Sequence, residues 1–287
     1  MTSPKILLAA YNIRPKKQFG QNFIVDPAFG ETIVRRAGIS SEDIILEIGA
    51  GVGALTVPLA RKAKKIFAVE IDHRIIGILN TQILVGGFTN VSIIGKDILA
   101  MDIDALSKVT GGKIVVMGNL PYNISSQILV QLIHSRKCIS RAILMFQKEL
   151  SQRITAEVGC KDYGRLSVML RYCSDIKKLM DVKASLFYPK PKVDSEILEL
   201  KFKKQIEDQA TDESFFFKVI KAGFGNRRKT LKNALTASEL KIDALTATRV
   251  LEKSGINPIR RAETLSVEEF VKLSNTLFEH KQIRERL

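Results

Sequence analysis

A chain of 287 residues that is 45% apolar and 26% charged can bury one large core or two ordinary ones and has the composition of a soluble globular protein. No apolar stretch approaches the ~18 residues of a membrane span, and three cysteines without CxxC spacing (Cys138, Cys160, Cys173), with only three scattered histidines, argue against a disulfide framework and a metal centre. A formal net charge of +15 suits a polyanionic partner, either nucleic acid or an anionic surface.

Along the chain, residues 1–25 carry no acid, and "ILLAA" after Lys5 is shorter than a signal-peptide core of about 7–15 residues. Cytoplasm is therefore the expected compartment. "VDPAFGETIVRRAG" predicts a helix with Asp26 as N-cap, Pro27 in the first turn and Gly38 past the end. From about residue 44 to 202, "DIILEIG", "KIFAVE", "VSII", "KIVVMG", "AILMFQ" and "EILELKF" read as strands of a mostly parallel sheet. Between them, Arg74–Leu84, Ser125–Arg136 and Lys148–Ala156 read as helices, the βαβ rhythm of a doubly wound α/β domain. After about residue 204 the rhythm stops. "DESFFFKVIKAGF", "RRKTLKNAL", "DALTATRVLEKSG" and "SVEEFVKLSNTLF" carry helical periodicity, and Ser266 with Glu269 spells a capping box. Two domains are expected: residues 1–204, α/β, and 205–287, all helical, joined through "KKQIEDQATDES".

The first strand leads into "EIGAGVGALT", where Gly49, Gly51 and Gly53 allow a tight turn and close approach to a ligand. GxGxG is not the GxGxxG fingerprint of dinucleotide folds, which weakens a nicotinamide reading. The second strand ends at Glu70, 19 residues after Gly51 (70 − 51), where a carboxylate can accept from both ribose hydroxyls of an adenosine. Asp97, after the third strand, can accept from an adenine amine; the plainer role for either acid is a solvated helix N-cap. The fourth strand runs into "NLPYNISSQ". Pro121 biases Leu120 away from the α region, Asn119 adds a neutral acceptor, and Tyr122 offers an aromatic face. That set suits an exocyclic amine on a purine: the acceptors orient its two N–H groups so that a lone pair can develop towards an electrophile. The plainer reading is a turn.

Together, "KKQFGQNF", "EIGAGVGALT", "VEID", "NLPY", "FYPKPKVDS", "GFGNRRKTLKNAL" and "RAETLSVEEF" resemble the ribosomal RNA adenine dimethyltransferase family, over about residues 14 to 278. The resemblance implies a Rossmann-like class I methyltransferase sheet with a smaller helical domain, and S-adenosylmethionine as methyl donor. It implies dimethylation of two adjacent adenosines near the 3′ end of small-subunit ribosomal RNA, during ribosome assembly. It places Asn22, Ile24, Gly49, Gly51, Glu70, Asp97 and Asn119 around the donor, with "QNF" as a flap over its methionine end. Ile24 stands where the family usually has Leu. It gives Asn119, Leu120, Pro121, Tyr122 and Phe187 the catalytic pocket, Tyr122 and Phe187 sandwiching a flipped adenine. The plainer role for Phe187 is in the core.

Arg227, Arg228, Lys229 and Lys232 fall within about two helical turns. With Lys190, Lys192, Arg260 and Arg261 they make a candidate phosphate-binding surface; the plainer reading is a solvated charged face. We expect a monomer needing no metal and no membrane. Two other functions stay open: methylation of large-subunit RNA of the antibiotic-resistance type, and a non-catalytic RNA-binding assembly or transcription factor. The long helical tail favours small-subunit RNA, and intact NLPY, Glu70 and Asp97 favour an enzyme.

Overall fold

The computed structural model describes residues 3–226 and 228–286, apart from the side chains of Lys17 and residues 284–286. Seven strands form one sheet: β1 (Ile44–Ile48), β2 (Lys65–Val69), β3 (Val91–Ile94), β4 (Ile114–Asn119), β5 (Ile139–Gln147), β6 (Ser174–Val182) and β7 (Ser195–Phe202). Their order is β3-β2-β1-β4-β5-β7-β6. Pairing is parallel from β3 to β5, and β7 runs antiparallel to β5. The central strands are buried on both faces, so they read as unbroken apolar runs (Ile114–Met117 is wholly buried). Strand β6 escaped the sequence reading. It is an edge strand in which Asp175, Lys177, Lys178 and Asp181 are exposed, and so shows no apolar period.

The predicted helices form with local chemistry at their ends. The helix Pro27–Arg36 starts at Asp26, whose Oδ1 accepts from Ala28 N at 2.9 Å, and Gly38 beyond its end has φ +58°. Helices His73–Val85, Ser125–His134 and Lys148–Thr155 match expectation to within two residues at each end. A helix at Pro4–Ala10 was not foreseen; it seats Leu8 (1% exposed) against Phe23, Val52, Ile75 and Ile78. Among the described residues no helix is long and apolar enough to cross a membrane.

The chain divides into two compact units, Met1–Ser151 with Asp175–Phe202, and Gln152–Ser174 with Lys203–Leu287. A single boundary at 204 therefore marks only the last crossing. Residues 152–174 join the second unit because the helix Arg165–Cys173 puts Tyr172 (1% exposed) into its aromatic core, 4.5 Å ring to ring from Phe216. The rest of that unit is helical: Glu213–Phe224, Leu231–Thr236, Ala244–Lys253 and Val267–Arg286. The expected capping box is present, Glu269 N donating to Ser266 Oγ and Ser266 N to Glu269 Oε2.

Candidate active site

Register brings the site together. Ile48 pairs with both Val69 and Gly118, and Val69 pairs with Ile94, so β1, β2, β3 and β4 end level. Gly49, Glu70 and Asn119 leave the sheet side by side on its carboxyl edge, where open α/β sheets bind ligands. A cavity of about 290 Å³ lies there, walled by Gly49, Gly51, Glu70, Asp97, Asn119 and Pro121 and by the segment Gln18–Phe23.

The glycine turn and the acid are one construction. Gly51 N donates to Glu70 Oε2 and Asp72 N to Glu70 Oε1, both at 2.9 Å. Gly51 has φ +56°, and a Cβ there would press to 3.2 Å on the Phe23 ring, so glycine is required. Burial raises the Glu70 pKa, against the pull of the Asp72 and Gly51 amides. Each carboxylate oxygen keeps lone-pair capacity towards the cavity. Asp97 is a cap, its Oδ1 accepting from Leu99 N at 2.9 Å, and the residue also lines the cavity.

Asn119 is divided between two tasks. Its Nδ2 donates to the Asn22 carbonyl at 2.9 Å, whereas its Oδ1 is buried without a hydrogen-bond partner. An orphaned buried acceptor is costly, about 1–3 kcal/mol, unless a ligand completes it. Asn22 in turn donates Nδ2 to the Gly20 carbonyl at 3.1 Å. Leu120 is buried, its N–H held by the Met145 carbonyl at 3.3 Å. The Pro121 carbonyl is taken by Ile124 N and Ser125 Oγ at the start of the next helix. Tyr122 is half-buried, its hydroxyl 3.0 Å from Ser195 Oγ.

One assignment changes. Phe187 is 3% exposed and belongs to an apolar cluster with Ile24, Leu55, Val182 and Ile197, so it presents no free ring for an adenine. The cause is a two-stranded ribbon, Phe23–Ile24 against Phe187–Tyr188, in which Ile24 pairs with Phe187. Ile24 is also buried; it lines a smaller cavity of about 30 Å³ together with Asn22, Gly49 and Gly51. That small cavity is also lined by Glu47 and Asn119. Glu47, 1% exposed and with Oε2 unpartnered, was not singled out from sequence, although one acid inside the apolar run "IILEI" was the signal.

Burial pushes the Glu47 pKa up to about 8, from 4.5. The folded protein therefore holds a proton that the unfolded chain has lost, and stability falls as pH rises from about 4.5 to about 8, then levels. Glu47→Gln is expected to flatten that slope and to raise stability near pH 8 by a few kcal/mol, roughly. Urea denaturation at pH 5, 6.5 and 8 measures it.

The basic residues fall on both units. Lys190 and Lys192 are exposed on the first unit; Arg228, Lys229 and Arg261 are exposed and Lys232 half-exposed on the second; Arg227 lies outside the described residues. Arg228 and Lys229 do not share a helix with Lys232: Thr230 caps, accepting from Asn233 N, and the helix begins at Leu231. Arg260 is engaged internally, its guanidinium paired with both Glu269 oxygens and with Thr264. It anchors the start of the last helix and leaves the candidate phosphate surface.

Strand order, level strand ends, a glycine turn bound to a strand-end glutamate and a cavity beyond them define a Rossmann-like methyltransferase domain. The chain belongs to the ribosomal RNA adenine dimethylase family, whose sequence profile matches residues 12–273. It is 50% identical over 278 residues to ribosomal RNA small subunit methyltransferase A of Desulforapulum autotrophicum, covering 97% of each chain. It is 42% identical to the protein of that name from Oceanobacillus iheyensis, over 96% of this chain and 95% of the relative. The crystal structure of a dimethyladenosine transferase from Plasmodium falciparum superposes with a TM-score of 0.74 at 30% identity, over 90% of this chain and 96% of that one.

Proposed function

We propose that the chain dimethylates the exocyclic amines of two adjacent adenosines near the 3′ end of small-subunit ribosomal RNA, with S-adenosylmethionine as donor. The observation that carries this reading is the orphaned Asn119 carbonyl at the carboxyl edge of the sheet, in a family of RNA adenine dimethylases. The walls suit the donor. Glu70 has lone pairs for its ribose hydroxyls, and Asp97 Oδ2 for its adenine amine. When bound, the donor supplies an electrophilic methyl group.

The chain's part is positioning. An adenine amine is a weak nucleophile because its lone pair is delocalised into the ring. Asn119 Oδ1, accepting one N–H, holds the nitrogen so that the lone pair localises as the new N–C bond forms; the displaced proton leaves to water. Tyr122, its hydroxyl fixed by Ser195, offers the ring on which a flipped base stacks. The exposed lysines and arginines bind phosphates without reading sequence.

Mass spectrometry of nucleosides, after incubating unmethylated small subunits with protein and donor, is expected to show dimethyladenosine. Methylation of large subunits instead would support the antibiotic-resistance reading, and no methylation of either would support the non-catalytic one. Replacing Arg228, Lys229 and Lys232 with Ala is expected to weaken RNA binding and reduce its salt slope by about one unit per lost phosphate contact, leaving donor affinity unchanged. Binding titrations between 50 and 200 mM salt, roughly, give that slope; an unchanged slope makes these charges a solvated face.

A further inference from the structure

Three contacts join the segment Gln18–Asn22 to the loop Asn119–Asn123. Asn123 Nδ2 donates to the Gln18 carbonyl at 3.1 Å, and Asn119 Nδ2 donates to the Asn22 carbonyl at 2.9 Å. Between these bonds Gly20 lies on Pro121. Gly20 has φ +59°, and a Cβ there would stand 3.3 Å from both Cα and Cβ of Pro121 and 3.1 Å from Asn123 Oδ1. The two stretches thus meet at every second residue, 18 with 123, 20 with 121 and 22 with 119. They run antiparallel and in register, joined by side-chain amides where a sheet would use its backbone. All six residues line the larger cavity. The segment's other edge is tied to the N-cap of the helix His73–Val85, where Gln21 Nε2 donates to Asp72 Oδ2 at 3.0 Å.

We infer that Asn123 is a positioning residue for methyl transfer: with Gly20 seated on Pro121, it latches the segment over the cofactor cavity to the loop that receives the target adenine, so that filling either site orders the other. The inference rests on the adenine-methylation reading of that loop. Its physical basis is shared ordering. A ligand that immobilises residues 18–22 also fixes Asn119 through Asn123, and the second ligand then loses less conformational freedom on binding. Linkage makes the effect reciprocal: the factor by which RNA tightens cofactor binding equals the factor by which cofactor tightens RNA binding.

The test uses S-adenosylhomocysteine, which lacks the transferable methyl, so the ternary complex does not turn over. Calorimetry is expected to show wild type binding it at least about 5-fold more tightly with saturating unmethylated small-subunit RNA than without. Amide hydrogen exchange of residues 19–22 is expected to slow about tenfold or more on adding S-adenosylhomocysteine alone. Asn123→Asp keeps the shape and removes the donor; it is expected to lose both the coupling and the slowed exchange at an unchanged melting temperature. Gly20→Ala should do the same by lifting the segment from Pro121. If Asn123→Asp keeps wild-type coupling and protection, the contact is ordinary loop structure and the inference is wrong. If wild type binds RNA with no coupling, the latch is refuted and the substrate reading stands. If wild type binds no small-subunit RNA, the substrate reading fails and the inference, which rests on it, fails with it.

Discussion

Replacing Asn119 with alanine is expected to lower the single-turnover rate of adenine methylation by about 10²–10³, by analogy with deletion of one oxyanion-hole donor. The effect is large because the Asn119 carbonyl is buried and unpartnered in the free protein, in a residue that lines the cavity. The same side chain also holds the Asn22 carbonyl, 97 residues away in sequence, so donor affinity is expected to fall as well, by less than tenfold. RNA affinity should barely change, because phosphate contacts dominate it. Tyr122→Ala separates the two effects. It removes a stacking face, worth about 1–3 kcal/mol, and weakens capture of the base more than the transfer step. Single-turnover assays with saturating donor and RNA distinguish them; a wild-type rate for Asn119→Ala would reduce the amide to a turn residue.

Glu70→Ala is expected to lower donor affinity more than tenfold by calorimetry. Two charge-assisted hydrogen bonds to ribose hydroxyls contribute roughly 1.5–3 kcal/mol each when buried. The carboxylate also holds the Gly51 and Asp72 amides, so its loss loosens the glycine turn as well as removing the acceptors. Glu70→Gln should not rescue, because one end of the amide is a donor facing another N–H. The pH dependence has a definite sign. Burial raises the Glu70 pKa above the ordinary carboxylate value, so on acidification the group gains its proton earlier than a solvated glutamate and donor binding weakens. Glu70→Gln is expected to bind weakly with that acid-side fall removed. Unchanged donor affinity in a folded Glu70→Ala protein would remove Glu70 from the cofactor site.

The sequence by itself determined the features written in short stretches of chain. Strand ends, the Asp26 and Ser266 caps, the glycine turn and the acid at the end of β2 follow from local apolar period and turn chemistry. Because parallel strands in such a sheet end level, those local readings already placed Gly49, Glu70 and Asn119 on one edge. What only the tertiary structure decided depends on partners remote in sequence. Phe187 is in the core because Phe23–Ile24 pairs with it, and a ring in "FYPKP" looks the same buried or free. Arg260 left the phosphate surface because Glu269 claims it; an arginine beside another basic residue gives no hint of an internal partner. Residues 152–174 joined the second unit through an aromatic contact between positions 172 and 216, invisible to any periodicity. The division of Asn119 into a used amide and an orphaned carbonyl arose in the same way: composition supplies the donor and the acceptor, but only the folded chain decides which of them is left for a ligand.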